Sequence, residues 1–93
     1  MIWDNAEIKS AFIGIENHGI FAWGLMFSGS GWGQGNGFRS LGAESLPQIQ
    51  AIVTHFGPWC ELEGKIVRVG RDKFMGPILA MRDILDDTKE VVF

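Results

Sequence analysis

The chain has 93 residues, 46% of them hydrophobic and 20% charged. This composition excludes a disordered polar segment and fits a single globular domain, residues 1–93, with one modest core. The formal net charge of −3 argues against broad attraction to nucleic acid or acidic membranes, so direct nucleic-acid binding is not expected.

Starting at the N-terminus, Met1 to Lys9 is too polar for a signal peptide. No later run reaches the ~18–20 apolar residues that span a bilayer. Residence in the cytoplasm of a host cell and no membrane partner are the expectations. "EIKSAFIGI" (Glu7 to Ile15) is rich in β-branched and aromatic residues without a helical stripe, and reads as a strand. "ENHG" follows as a turn, with Asn17 and Gly19 the candidates for positive φ. "IFAWGLMFS" (Ile20 to Ser28) is then the second strand of an antiparallel hairpin. Phe21, Trp23, Leu25 and Phe27 share one of its faces. Ile20, Ala22, Gly24 and Met26 share the other, so both faces call for a cover.

"GSGWGQGNG" (Gly29 to Gly37) places five glycines at alternate positions. It lacks the Gly-Lys-Ser/Thr ending of a phosphate loop and sits in no βαβ unit. If extended, it carries bare glycines on one face and Ser30, Trp32, Gln34 and Asn36 on the other. A mobile loop, a packing surface and a ligand or partner site all remain open for it. Trp32 offers a stacking surface, Gln34 and Asn36 offer amides, and Arg39, Arg68 and Arg71 are the available cations. Together these six residues are the candidate binding site, of the kind that recognises a base or nucleotide.

Phe38 to Leu41 is a candidate third strand. "SLPQIQAIVTHFGP" (Ser45 to Pro58) reads as a helix with a Ser45–Gln48 capping box, Pro47 in the first turn and Gly57-Pro58 as its stop. Its stripe is Leu46, Ile49, Ile52, Val53 and Phe56. Trp59 and Leu62 are expected to close the underside of the helix. Gly64 to Arg71 is a strand with Lys65, Val67, Val69 and Arg71 on one face, and Pro77 to Leu85 is the last strand. The fold class is therefore α+β, an antiparallel sheet of about five strands with one helix (β-β-β-α-β-β). One helix cannot cover both faces, so the sheet is expected to curl or to be covered in a homodimer.

Chemistry-bearing residues are few. Cys60 is the one cysteine and His18 and His55 are the two histidines. A lone cysteine excludes an intramolecular disulfide and an all-cysteine zinc site, and a buried, inert thiol is expected. His18 fits a turn and His55 the C-terminal end of the helix dipole. No metal, cofactor or catalytic residue is assigned, since Cys60 and His55 form the one conceivable nucleophile–base pair and no oxyanion hole is evident. Four cations between Lys65 and Lys73 face one acid, Asp72, which makes a local anion site conceivable beside the simpler reading of solvated strand edges. Asp83 to Glu90 reads as an acidic tail.

"FIGIENHGI", "GSGWGQGNGFRSL", "WCELEGKIVRV" and "ILAMRDILDD" occur in an order that resembles a widespread group of small phage and prophage proteins of unknown function. The matching positions are Glu16, His18 and Gly19; Gly31, Gly33, Gln34, Gly35 and Gly37; and Trp59, Leu62, Gly64, Lys65 and Arg68. The chain departs from the pattern at Asn17 and Gly42, where the group carries acids. The resemblance implies a phage origin. By analogy with other small phage proteins, it implies a non-enzymatic counter-defence protein that blocks a host immune complex, as anti-CRISPR proteins do. A sponge for a cyclic nucleotide immune signal and a structural or assembly module of a phage are the alternatives. The expected partners are thus a host defence protein or a nucleotide-like small molecule, beside a second copy of the chain.

Overall fold

The computed structural model describes residues 1–37 and 39–93; Phe38, the first residue of the candidate third strand, lies outside the described residues. The strands are β1 (Ile2–Ile15), β2 (Phe21–Gly29), β3 (Trp32–Gly35), β4 (Arg39–Ser40), β5 (Ile66–Arg71), β6 (Ala80–Asp83) and β7 (Glu90–Val92). The helix α1 spans Ser45–Phe56 and is followed by a 3-10 turn at Trp59–Glu61. The fold is α+β, as expected, with an open antiparallel sheet in the order β3-β2-β1-β5-β6-β7 and β4 on the same edge of β2 as β3. Among the described residues the sheet has seven strands, more than the five or so expected. The glycine stretch supplies β3, and Glu90–Val92, from the end of the acidic segment onward, supply β7, which pairs Glu90 with Arg82 and Val92 with Ala80.

The β1–β2 hairpin sets the inner face. Glu7 and Ile8 stand opposite Ser28 and Phe27, but Ser10 stands opposite Met26, so Lys9 is an extra residue forming a β-bulge. Before the bulge, even-numbered residues (Ala6, Ile8) face inward beside Val67 and Val69. After it, odd-numbered residues (Ala11, Ile13, Ile15) lie on that face beside Leu25, Trp23 and Phe21. Without the bulge, half of β1 would turn its apolar set outward.

The core joins Ile8, Trp23, Leu25, Phe27, Val67, Val69 and Met81 from the sheet to Ile52 and Phe56 from α1 and to Leu62. Trp23 is fully buried, with Trp59 edge-on at 6.2 Å and Phe93 at 6.3 Å between ring centroids. The face that suggested a subunit interface is thus covered by the chain's own helix and C-terminus over Trp23 to Phe27. Phe21 is the exception, 53% exposed.

Helix α1 departs from its expected start. Its N-cap position is Glu44, without a side-chain cap. The Ser45 hydroxyl donates instead to the Ser40 carbonyl at 2.6 Å, and the Gln48 amide donates to the Val92 carbonyl at 3.1 Å. The capping box is therefore replaced by two ties to β4 and β7. Ile52 and Phe56 are buried, whereas Leu46 is 61% and Val53 36% exposed, so the expected stripe is buried only in part. The stop is as expected: Gly57 adopts φ 103°, and its N–H donates to the Val53 carbonyl.

Candidate functional site

The glycine stretch is an ordered hairpin arm. Gly29 pairs with Trp32 and Met26 with Gly35, with Ser30-Gly31 as the two-residue turn and Gly31 at φ 76°. Gly29 is bare for a second reason. A Cβ there would lie 2.2 Å from the Trp32 indole, which folds back over it. The alternation expected for an extended segment holds over Trp32–Gly35, where Trp32 and Gln34 face the core side and Gly33 and Gly35 the other; Gly29 lies on the Trp32 side of the turn, so the five glycines do not share one face. That glycine side joins Ser10, Phe12, Gly24 and Met26 around an apolar groove of about 420 Å³.

On the core side, curvature of the sheet brings Trp32 and Gln34 against Arg71 at the end of β5. The guanidinium of Arg71 stacks over the Trp32 ring at 4.2 Å. Its Nη1 donates to Asp4 Oδ2 at 3.0 Å, and its Nη2 and Nε donate to Gln34 Oε1 at 3.0 and 3.3 Å. Arg71 is only 3% exposed, so these partners satisfy the charge internally. The Gln34 amide donates onward to the Gly76 carbonyl at 3.1 Å. The chain Asp4–Arg71–Gln34–Gly76 therefore fastens the loop at residues 72–79 to both β1 and β3.

The other three candidates do not join this cluster. Asn36 is buried and continues the edge of β2 between β3 and β4: its N–H donates to the Leu25 carbonyl at 3.1 Å and its Oδ1 accepts the Leu25 N–H at 2.9 Å. Arg39 lies over the Phe93 ring at 5.8 Å. Arg68 points to the opposite face, where Nε and Nη2 donate to the Asp83 carbonyl at 2.8 and 2.6 Å and Nη2 reaches Asp87 at 2.5 Å. The strand alternation of β5 separates Arg68 from Arg71, so the cations between Lys65 and Lys73 do not converge on an anion site.

Sequence reasoning missed Asp4, Phe74 and Met75. Together with Trp3, Asn5, Ser30, Trp32 and Arg71 they line a cleft of about 510 Å³. Phe74 is 81% exposed and Met75 62%, and Met75 holds φ 63°, a left-handed conformation rare for a long side chain. "KFMGP" carried a signal, two large apolar residues in a turn bounded by Lys73 and Gly76-Pro77. Asp4 carried none, because its role follows from β1 pairing with β5.

The remaining chemistry-bearing residues are dispersed. Cys60 is exposed, which corrects the expectation of a buried thiol: the 3-10 turn sends Trp59 inward and Cys60 out. No hydrogen bond joins Cys60 to His55 among the described residues, and His55 lies edge-on to Phe56. His18 sits in the β1–β2 turn with Nδ1 2.8 Å from Glu16 Oε2. Glu16 Oε1 accepts the N–H groups of His18 and Ile20 at 2.7 and 3.2 Å. The His18 ring, followed by these backbone N–H groups, holds the Glu16 carboxyl below its ordinary value against the opposing effect of partial desolvation. Gly19 takes the positive φ of the turn, 82°, and Asn17 does not. Glu16, His18 and Gly19 act here as turn geometry.

Among the described residues no three His, Cys, Asp or Glu side chains are grouped as metal donors, and no helix is long and apolar enough to cross a membrane. Comparison with protein-family models, with curated proteins and with solved structures finds no match.

Proposed function

We propose that the chain is a phage-encoded, non-enzymatic counter-defence protein that binds and blocks a host immune protein complex. Its contact surface is the loop at residues 72–79, with Phe74 and Met75 as apolar anchors beside the Trp32 cleft. The observation that carries this reading is a pair of large apolar side chains held outward on a fastened loop. Gln34 grips the Gly76 carbonyl, and the Gly76 N–H donates to the Lys73 carbonyl at 3.0 Å, so the anchors are presented with little ordering left to lose on binding. Anchors of this kind dominate protein–protein interfaces when they enter a partner's pocket.

The cyclic nucleotide sponge is less well supported. It needs cations converging on Trp32, and among the described residues Arg71 alone reaches that ring, already engaged by Asp4 and Gln34. The test is capture from host lysate with wild-type protein and a Phe74→Ser/Met75→Ser variant. The proposal predicts one host complex retained at stoichiometric level by the wild type and lost by the variant. Equal capture by both, or none by either, contradicts it. A thermal shift with a cyclic nucleotide that disappears in Trp32→Ala would favour the sponge.

A further inference from the structure

Strand β1 is paired on both sides only through its first half. Ile2 to Glu7 pair with β5, and the last ties on that side are Ile8 N–H to the Lys65 carbonyl and Gly64 N–H to the Ile8 carbonyl, both at 2.8 Å. From Ser10 to Ile15 the strand pairs with β2 alone among the described residues.

The bonding parity of this stretch follows from the far side of β2. Leu25 exchanges hydrogen bonds with Asn36, and the Phe21 carbonyl accepts the Leu41 N–H at 2.9 Å. Leu25 and Phe21 thus aim their backbone groups away from β1. Their opposites Ala11 and Ile15, with Ile13 between them, then occupy the non-hydrogen-bonded positions of the β1–β2 ladder. The N–H and C=O groups of Ala11, Ile13 and Ile15 consequently point to the open side.

The side chains add a second feature. Ile13 is 42% exposed, Ile15 65% and Phe21 53%, all on one face of the hairpin. Residues 10–15 contain no charge and no proline, the usual guards of a free edge.

We propose that this edge pairs with the same edge of a second copy, antiparallel about a two-fold axis through Ile13. Ile13 then stands opposite Ile13 of the second copy and Ala11 opposite Ile15 of the second copy. Each of these opposed pairs exchanges two N–H···O bonds. This register engages every outward-pointing group of the stretch and opposes no like charges. It also makes the apolar rows of the two copies continuous, Ile15 of one beside Ala11 of the other with Phe21 one strand further back. Phe21 stands one strand back from the seam, so the side-chain area lost comes chiefly from Ile13 and Ile15, on the order of 100 Å² per copy. With the backbone edge, the total is on the order of several hundred Å², at the low end of specific interfaces, which fits a weak, concentration-dependent dimer. The second copy is favoured over a foreign strand because the register is self-complementary in both hydrogen bonding and side-chain content.

Sedimentation velocity from micromolar to millimolar concentration tests this. Wild-type protein is expected to pass from monomer to dimer. Ile13→Lys and Ile13→Glu each place like charges across the axis, and each is expected to weaken association on the order of tenfold or more. Their equimolar mixture is expected to restore the dimer, which only opposition of residue 13 to itself explains. Because Ile13 is half-exposed, the fold of each variant is checked by circular dichroism, and Thr54→Ser, exposed on α1, serves as the neutral control. Wild-type protein that stays monomeric throughout, leaving the edge to a strand from another protein, overturns the proposal. A mixture of the charged variants that remains monomeric overturns it equally.

Discussion

The β1–β2 hairpin carries the same alternation along its length, yet its two ends have different fates. Trp23, Leu25 and Phe27 are at most 2% exposed, whereas Phe21 on the same face is 53% exposed, with Ile15 opposite it at 65%. The difference is one of cover. Helix α1 has 12 residues, about 18 Å of length, and β1 has 14, about 47 Å if fully extended. An apolar stripe therefore marks burial only where a second element reaches it. Beyond that reach, the same pattern is surface available to a partner.

Substitution at the two ends gives the largest contrast. Trp23→Ala removes a fully buried indole packed on Trp59 and Phe93 and is expected to cost about 3–5 kcal/mol. Phe21→Ala should cost less than about 1 kcal/mol. Urea unfolding of the two variants reads this directly, and equal losses would mean that the hairpin end is covered in solution.

The two ion-paired arginines of β5 sharpen the point. Asp4→Ala removes the 43% exposed carboxylate that pairs with the buried Arg71 and leaves that charge on Gln34 and Trp32 alone, at an expected cost of about 1–2 kcal/mol. Asp87→Ala removes a 66% exposed partner of Arg68 and should cost about 0–1 kcal/mol in the same assay. At the edge of β2, Asn36→Ala leaves the Leu25 N–H without its side-chain acceptor and should lower stability by about 1–2 kcal/mol.

The smallest effect is a pH response in the β1–β2 turn. The carboxyl of Glu16 titrates below its ordinary value, so its contribution to the turn is present above the ordinary carboxylate range. That contribution fades as pH falls through the lowered value. Titration of the Glu16 side chain by NMR, followed with the His18 and Ile20 amide shifts, should show the three moving together. Independent midpoints would contradict the assigned bonds.

Much of the fold was legible because its signals are local. The hairpin, the helix with its Gly57 stop and the alternation of β5 follow from patterns a few residues long. The extra strands were not legible: β3 is short and lies in the glycine stretch, and β7 is three residues long, whereas β4 falls inside the expected third strand. Each exists because a neighbouring strand accepts it. The capping box failed for a similar reason, since Ser45 and Gln48 found acceptors on Ser40 and Val92. Of the candidate site, Trp32, Gln34 and Arg71 meet, and Asn36, Arg39 and Arg68 do not. A bulge at Lys9 and the curl of the sheet decide that outcome, and neither is written in the spacing of those six residues.

The central claim is that the cluster beneath the glycine stretch holds the fold and the loop it fastens meets the partner. Thermal unfolding and lysate capture, measured together on Asp4→Ala and Phe74→Ser, test it most directly. The account predicts a crossed result: Asp4→Ala melts lower, by about 5–15 °C for a domain of this size, while Phe74→Ser melts as wild type and loses its partner. An Asp4→Ala protein with unchanged melting, or a Phe74→Ser protein with unchanged capture, would contradict it.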